Sequence, residues 1–422
     1  LKIKRLREDK MDLSSRYFLS LLSSFIKDAT PVKPDCIGED REKNEYGCDN
    51  VDWRKIYQLA SIHSLGGAVY LAVQKLENDD KPDAELLNKF KSEFFHATYR
   101  YEEQEKEYSK VVELLNREKI RHIFFKGVIV REYYPVKQVR TQGDIDFLIY
   151  PEDRKKVEKI FTDLGYRNFS TKWHDKYKKG KIVFEGHDNL INHEINSKVD
   201  YFAYFANAWE YAKPKDNTYT YELEMNYHLV FLITHIAKHF YDRGAGVRLI
   251  LDIAAILNKY GEELDFQIIW KHLENIKLDL FAKHIFALCE RWFGVNVPGL
   301  SFEMDESTYS AMSRYILEGG TFGYSNDNSA ISALRKEYEK TESIEHIKIK
   351  ALFRKIFLSS DIMREKYPIL KKHPYLLVFA WIYRGIQCIV KKRKRTFRIL
   401  KGIREFSEEG KNNYIMMKKI GL

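Results

Sequence analysis

Apolar positions recur with a helical period over most of this chain, and lose that period only in a short central stretch. Leu13, Tyr17, Leu21 and Phe25 are spaced four apart, with Phe18 widening the same face, which predicts a helix. Pro31, Pro34 and Gly38 break it, and a charged loop follows to about Asn50. Asp52 is placed to cap a helix bearing Trp53, Ile56, Tyr57, Leu59 and Ala60, and Gly66-Gly67 separates it from Val69, Ala72, Val73 and Leu76. Asp83 opens a long helical pattern through Leu86, Phe90, Phe94, Ala97 and Tyr101. It continues through Val111, Val112, Leu114 and Leu115 and ends near Lys119.

The pattern then changes. Ile123-Phe124-Phe125 is short, apolar and unperiodic, as a buried strand is. Lys126-Gly127 leads into a helical stretch that stops at Tyr133-Tyr134-Pro135, and Asp144 to Tyr150 reads as a second strand. Pro151-Glu152-Asp153 starts a helix carrying Val157, Ile160, Phe161 and Leu164, with Gly165 as its stop. Tyr177 to Phe184 and Asn189 to Asn196 read as two further strands. From Tyr221 onward the helical period returns, broken at Gly244–Gly246, Pro298-Gly299 and Gly319–Gly323. The expected fold is α+β and predominantly helical: a small mixed β-sheet core over residues 86–212, flanked by an N-terminal helical region (1–85) and a C-terminal helical domain (213–422).

The strand at residues 144–150 poses the chemical question, because two carboxylates stand where Val or Leu belongs. Residues two apart in a strand share a face, so Asp144 and Asp146 project together while Ile145, Phe147 and Ile149 point into the opposite core. Paired carboxylates repel unless a positive charge lies between them. A divalent metal such as Mg²⁺ answers that need, because it takes hard oxygen ligands and is held by one or two carboxylates plus substrate phosphates. A structural alternative is that Asp144 caps the turn after Gly143 while Asp146 pairs with a nearby Arg or Lys.

Three neighbours favour the metal. Gly127 lets the backbone approach a ligand closely, and the helix starting there offers free N–H groups to a phosphate. Glu194 faces the aspartates if Ile191 and Ile195 face the core, which makes it the candidate third carboxylate. Arg140 precedes the acidic strand and is a candidate phosphate ligand, with a salt bridge to a helix carboxylate as the alternative.

The stretch F-F-K-G-V-I-V-R-E-Y-Y-P-V-K-Q-V-R-T-Q-G-D-I-D-F-L-I (124–149) resembles the bacterial uncharacterised nucleotidyltransferase family, whose members carry L-K-G, then Y-P, then R-x-x-x-D-h-D. That family belongs to the polymerase-beta-like nucleotidyltransferase superfamily. V-D-W-R-K-I-Y-Q-L-A-S-I-H-S (51–64), H-L-V-F-L-I-T-H-I-A-K-H-F (228–240) with L-I-L-D-I-A (249–254), E-G-G-T-F-G (318–323) and K-Y-P-I-L-K-K-H-P (366–374) are similar to its flanking regions. The resemblance implies transfer of NMP from an NTP to an acceptor hydroxyl. Asp144, Asp146 and Glu194 would be the catalytic, metal-ligating acids, holding two Mg²⁺ (or Mn²⁺) ions about 4 Å apart. Lys126, Gly127 and Arg140 would bind phosphates. This sequence departs from the superfamily where Lys126-Gly127 replaces Gly-Ser or Gly-Gly at the turn, and in its longer gap from Gly127 to Asp144.

His235 and His239 stand four apart on a predicted helix. Ile236 stands where a zinc protease has its general-base Glu, which argues against that enzyme and leaves helix packing, a nucleotide or acceptor contact, and zinc binding. The H-D dipeptides His174-Asp175 and His187-Asp188 fall around a strand hairpin, where a chance origin is the better reading.

Bulk properties narrow the picture only slightly. Gly (21) and Pro (9) are scarce among 422 residues, which argues against all-β folds and long linkers. Cys36, Cys48, Cys289 and Cys388 form no C-x-x-C pair, which argues against a zinc ribbon or disulfide framework. The net charge of +10 suits a phosphate-bearing partner. Positive charge is densest from Lys391 to Arg404, a candidate surface for RNA or an anionic membrane, or simply a solvated helix face. Tyr375 to Val390 is too short to span a bilayer and contains Arg384 and Gln387, so a buried helix is expected. The charged start gives no signal peptide, and the expected location is cytoplasmic. The acceptor stays open among small molecule, protein and RNA. The competing readings are a catalytically silent nucleotide-binding or interaction module, and an RNA-binding toxin–antitoxin component.

Overall fold

The computed structural model describes residues 11–32, 51–169, 175–191, 195, 199–242, 244–320, 353, 357–390 and 408–422. The chain enters through α1 (Leu13–Ile26), α2 (Trp53–Ile62), α3 (Gly66–Gln74) and α4 (Ala84–Arg117). Asp12, Asp52 and Asp83 cap α1, α2 and α4, each accepting hydrogen bonds from N–H groups of the first turn.

The aperiodic centre forms one sheet: β1 (His122–Phe125), β2 (Ile145–Ile149), β3 (Arg167–Asn168), β4 (Asp175–Lys179), β5 (Ile182–His187), β6 (Ala212–Pro214) and β7 (Thr220–Leu223). Its order is β3-β4-β5-β2-β1-β7-β6. β1 runs antiparallel to β2 and parallel to β7, while β2 runs parallel to β5, so the sheet is mixed as expected. A short helix, α5 (Gly127–Val130), leaves β1, and α6 (Arg154–Asp163) follows β2 and ends ahead of Gly165 at φ 81°.

One predicted strand divides in two. The run from Tyr177 to Phe184 is a hairpin, with Lys179 opposite Ile182 and the two-residue loop Gly180-Lys181 between them. Gly180 takes φ 58°, so the chain reverses there instead of running straight through. Nor is Asn189–Ile191 a strand: Asn189 accepts a hydrogen bond from the Ile191 N–H in a local turn. Residues 192–194 and 196–198 lie outside the described residues.

The two faces of the sheet differ as the alternation in β2 predicted. Ile145, Phe147 and Ile149 join Phe124 and Phe184 in a core closed by Val111 and Leu115 of α4 and by Val157, Ile160 and Phe161 of α6. Phe161 stacks on Tyr177 with ring centroids 4.1 Å apart. On the other face, Ile123, Phe125 and Leu148 enter a larger core shared with helices from both ends of the chain. Those later helices are α7 (Tyr201–Phe205), α8 (Met225–Asp242), α9 (Val247–Tyr260), α10 (Phe266–Asn275), α11 (Asp279–Phe293) and α12 (Glu306–Gly319). α1 packs against α11 and α9, so the two ends of the sequence share apolar contacts.

Beyond α12, the described helices are α13 (Ser360–Lys366), α14 (Ile369–Lys372), α15 (Leu377–Val390) and α16 (Glu408–Lys419). The expectation of a buried helix near Tyr375–Val390 is half right. α15 forms, but Val378, Phe379, Ile382, Tyr383 and Ile386 are exposed. Apolar periodicity sets a helix but not what covers it. No described helix is long and apolar enough to cross a membrane.

Buried histidines tie these layers together in their neutral form. His63 donates from Nε2 to the Leu317 carbonyl (3.0 Å) and accepts at Nδ1 from the Val247 N–H (3.2 Å). His122 bonds the Ile120 carbonyl through Nδ1 (2.8 Å) and the Thr220 hydroxyl through Nε2 (2.9 Å). Burial pushes the pKa values of His63, His122 and His228 down to about 4. The unfolded chain therefore binds protons below about pH 6.5 that the folded chain does not take up until about pH 4. Stability is expected to fall with pH across that window, by roughly 1–2 kcal/mol per histidine between pH 7 and pH 5. Urea unfolding at the two pH values measures this, and an unchanged midpoint would contradict it.

Candidate active site

β2 opens on the face of the sheet that carries the acids. Asp146 is 4 % exposed and sits opposite Phe125 of β1 on one side and Glu185 of β5 on the other. Glu185 and His187 are two apart in β5 and so share that face. Asp146, Glu185 and His187 present ligand atoms that all lie within 4.8 Å of one another. Asp144 lies just before β2 and is partly buried.

Cations already stand against these acids. The Lys126 ammonium donates to Asp146 Oδ1 at 2.6 Å, and His187 Nε2 lies 2.9 Å from the same oxygen. Lys176 of β4, the cross-strand neighbour of Glu185, forms an ion pair with it. Burial alone would raise the Asp146 pKa, but Lys126 and His187 outweigh it and hold the carboxyl well below the usual range. Asp144 goes the other way: burial, then the charge of Asp146, raises it. The pair thus splits into one firmly ionised carboxylate and one that takes a proton more readily, the usual result when acids are crowded together.

The turn that carries Lys126 is unusual. Lys126 has φ 58° and ψ −130°, backbone that side-chain-bearing residues rarely adopt. The helix it opens has only four residues, so the macrodipole expected to favour phosphate is short. Gly127 makes its close approach to protein atoms: a Cβ there would collide with Arg140 Nη1 and meet Gln142 Oε1 at 2.6 Å.

The remaining sequence candidates are spread around this centre. Arg140 is 7 % exposed and grips Asp252 of α9 through Nε (3.0 Å) and Nη2 (2.6 Å), while the Tyr134 hydroxyl donates to Asp252 at 2.7 Å. This is the salt bridge to a helix carboxylate, and it joins the sheet to the C-terminal helices. His235 and His239 on α8 meet each other, Nε2 to Nε2 at 3.1 Å. Burial, then His239 and Lys126, pushes His235 well below its ordinary pKa, so it is neutral at physiological pH. Phe231 links α8 to the site, contacting Phe125 and His235, and Phe125 in turn contacts His187. Glu194, like the basic run from 391 to 404, lies outside the described residues.

Sequence reasoning overlooked Glu185 and His187. Read as one strand, Tyr177–Phe184 leaves Glu185 beyond its end, and His187-Asp188 reads as a chance dipeptide. The signal was present in K-K-G-K (178–181), a hairpin turn ahead of I-V-F-E-G-H. Once the chain is folded back there, Phe184 faces the core while Glu185 and His187 fall beside β2.

The model of the uncharacterised nucleotidyltransferase family matches residues 49–294, more than half of the chain, and the protein belongs to that family. The match includes β1, the Lys126-Gly127 turn, β2 and β5, and ends before the similar stretches at 318–323 and 366–374. No curated protein and no solved structure matches the chain.

Two carboxylates and an imidazole form a donor set suited to a divalent ion of the Mg²⁺ or Mn²⁺ kind. The turn beside them is tightly packed, which a stability measurement can read. Gly127→Ala drives a methyl group into an Arg140 guanidinium pinned by Asp252, with an expected cost of about 1–3 kcal/mol. Gly143→Ala meets nothing within 4 Å and is expected to change stability by less than about 0.5 kcal/mol. Equal unfolding midpoints for the two variants would refute this account of the turn.

Proposed function

We propose that this protein is a divalent-metal-dependent nucleotidyltransferase that moves NMP from an NTP to an acceptor hydroxyl. The observation that carries the reading is the meeting of Asp146, Glu185 and His187 on one sheet face, two residues from Asp144, within the region that matches the family. Glu185 takes the part of third carboxylate that sequence reasoning gave to Glu194.

Asp146, Glu185 and His187 would hold the ion, with Asp144 beside them. When bound, such an ion supplies charge for the triphosphate and lowers the pKa of the acceptor hydroxyl. The nitrogen ligand favours Mn²⁺ over Mg²⁺. The chain's own part is to hold these groups still and exclude water, so that charge developing in the transition state meets a preorganised site. β2 and β5 do this through ladder pairing of Asp146 with Glu185. Lys126, paired with Asp146, keeps a positive charge at the turn beside the acids. Arg140, committed to Asp252, supports the wall behind it. His235 is held neutral against His239 behind this centre. The resemblance that suggests this chemistry leaves the acceptor open.

One observation favours a catalytically silent binding module: Asp146 and Glu185 each already carry a lysine. Turnover separates the two readings. Incubation with Mn²⁺ or Mg²⁺ and each labelled NTP is expected to release pyrophosphate or label the protein or added RNA. Asp146→Asn and Glu185→Gln are each expected to reduce the rate ~100-fold or more, the scale of losing one electrostatic group from a preorganised site. Nucleotide binding without turnover would leave the silent module, and full activity in either variant would remove that residue from the mechanism.

A further inference from the structure

The lysine at the turn is better explained as a permanent cation than as a phosphate hook. Three features support this. Lys126 adopts glycine-like backbone at φ 58° and ψ −130°, a strained conformation that persists only where the surroundings demand it. Its side chain turns inward, with the ammonium on Asp146 at 2.6 Å and over the Phe125 ring at 5.2 Å. The negative charges of Asp146, Asp144 and Glu185 all act on this one ammonium.

Charge counting gives the consequence. Asp144, Asp146 and Glu185 bring three negative charges, and Lys126 with Lys176 returns two positive ones. One divalent ion reverses the single negative charge that remains. A second would leave the pocket three charges positive before any nucleotide arrives, and like charges at this range in a buried site repel strongly.

Resting on the nucleotidyltransferase reading, we infer that the Lys126 ammonium fills one of the two cation positions of this site, so that the protein takes a single divalent ion where its superfamily takes two. The aspartate pair then needs no second metal, because a tethered charge balances it. The glycine that the superfamily places at this turn carries no such charge.

Manganese binding by the full-length chain tests the inference without reference to activity. The protein is stripped with chelator and titrated with Mn²⁺ alone, and free Mn²⁺ is followed by electron paramagnetic resonance. Wild type is expected to bind one Mn²⁺ per chain. Lys126→Gly removes the ammonium and relieves the strained backbone, and is expected to bind two. Lys126→Met, which removes the charge but keeps the length, serves as the second variant and is expected to gain affinity at least tenfold. A wild-type stoichiometry of two overturns the inference even if neither variant folds, and leaves the metal-site reading standing. Unchanged stoichiometry in Lys126→Gly also overturns it. No Mn²⁺ bound by wild type or by either variant removes both the inference and the metal site beneath it.

Discussion

Carboxylates buried on a sheet face must be met by positive charge, and that constraint organises the centre of this protein. Asp146 is almost fully enclosed, and its neighbour across the ladder is another acid, Glu185. Isolated burial of either charge would cost several kcal/mol and drive protonation. Lys126 and Lys176 supply the positive charge, and His187 adds a hydrogen bond to Asp146. Much of the surrounding structure serves to keep these groups in place: a strained turn for Lys126, a tight hairpin for Lys176 and Glu185, and α8 with Phe231 and His235 closing over Phe125.

A second buried ion pair holds the frame. Arg140 and Asp252 connect the loop before β2 to α9, with the Tyr134 hydroxyl as a third partner. The Arg140 guanidinium also lies close against Gly127, so the position of the Lys126-Gly127 turn depends on a contact with a helix more than a hundred residues later in the chain. The sheet and the C-terminal helices are therefore coupled through charge as well as through their shared apolar core.

The fold was legible where local chemistry is decisive. Asp52 and Asp83 announced their helices because a capping carboxylate acts within a few residues, and the alternation Ile145, Phe147, Ile149 assigned both faces of β2 because the strand period is fixed. Asp144 and Asp146 stood out because they violate that pattern. Reading failed where the outcome depended on turn conformation or distant partners. The Gly180 reversal decided whether Glu185 lay inside a strand or beyond it, and only the three-dimensional pairing of β5 with β2 placed it beside Asp146. Arg140 reads equally as a phosphate ligand or a helix salt bridge, and only the fold brings Asp252, 112 residues on, to decide for the bridge. The exposed apolar stripe on α15 shows the same limit, since the period of Val378, Ile382 and Ile386 says helix and nothing about cover.

The central claim is that Asp146 and Glu185 serve one shared cation. Crystals grown with Mn²⁺ and a non-hydrolysable NTP analogue, measured at the manganese absorption edge, test it most directly. An anomalous peak is expected in contact with both carboxylates, with Lys176 displaced from Glu185. A peak that avoids Glu185, or ordered nucleotide with no manganese between β2 and β5, would contradict it.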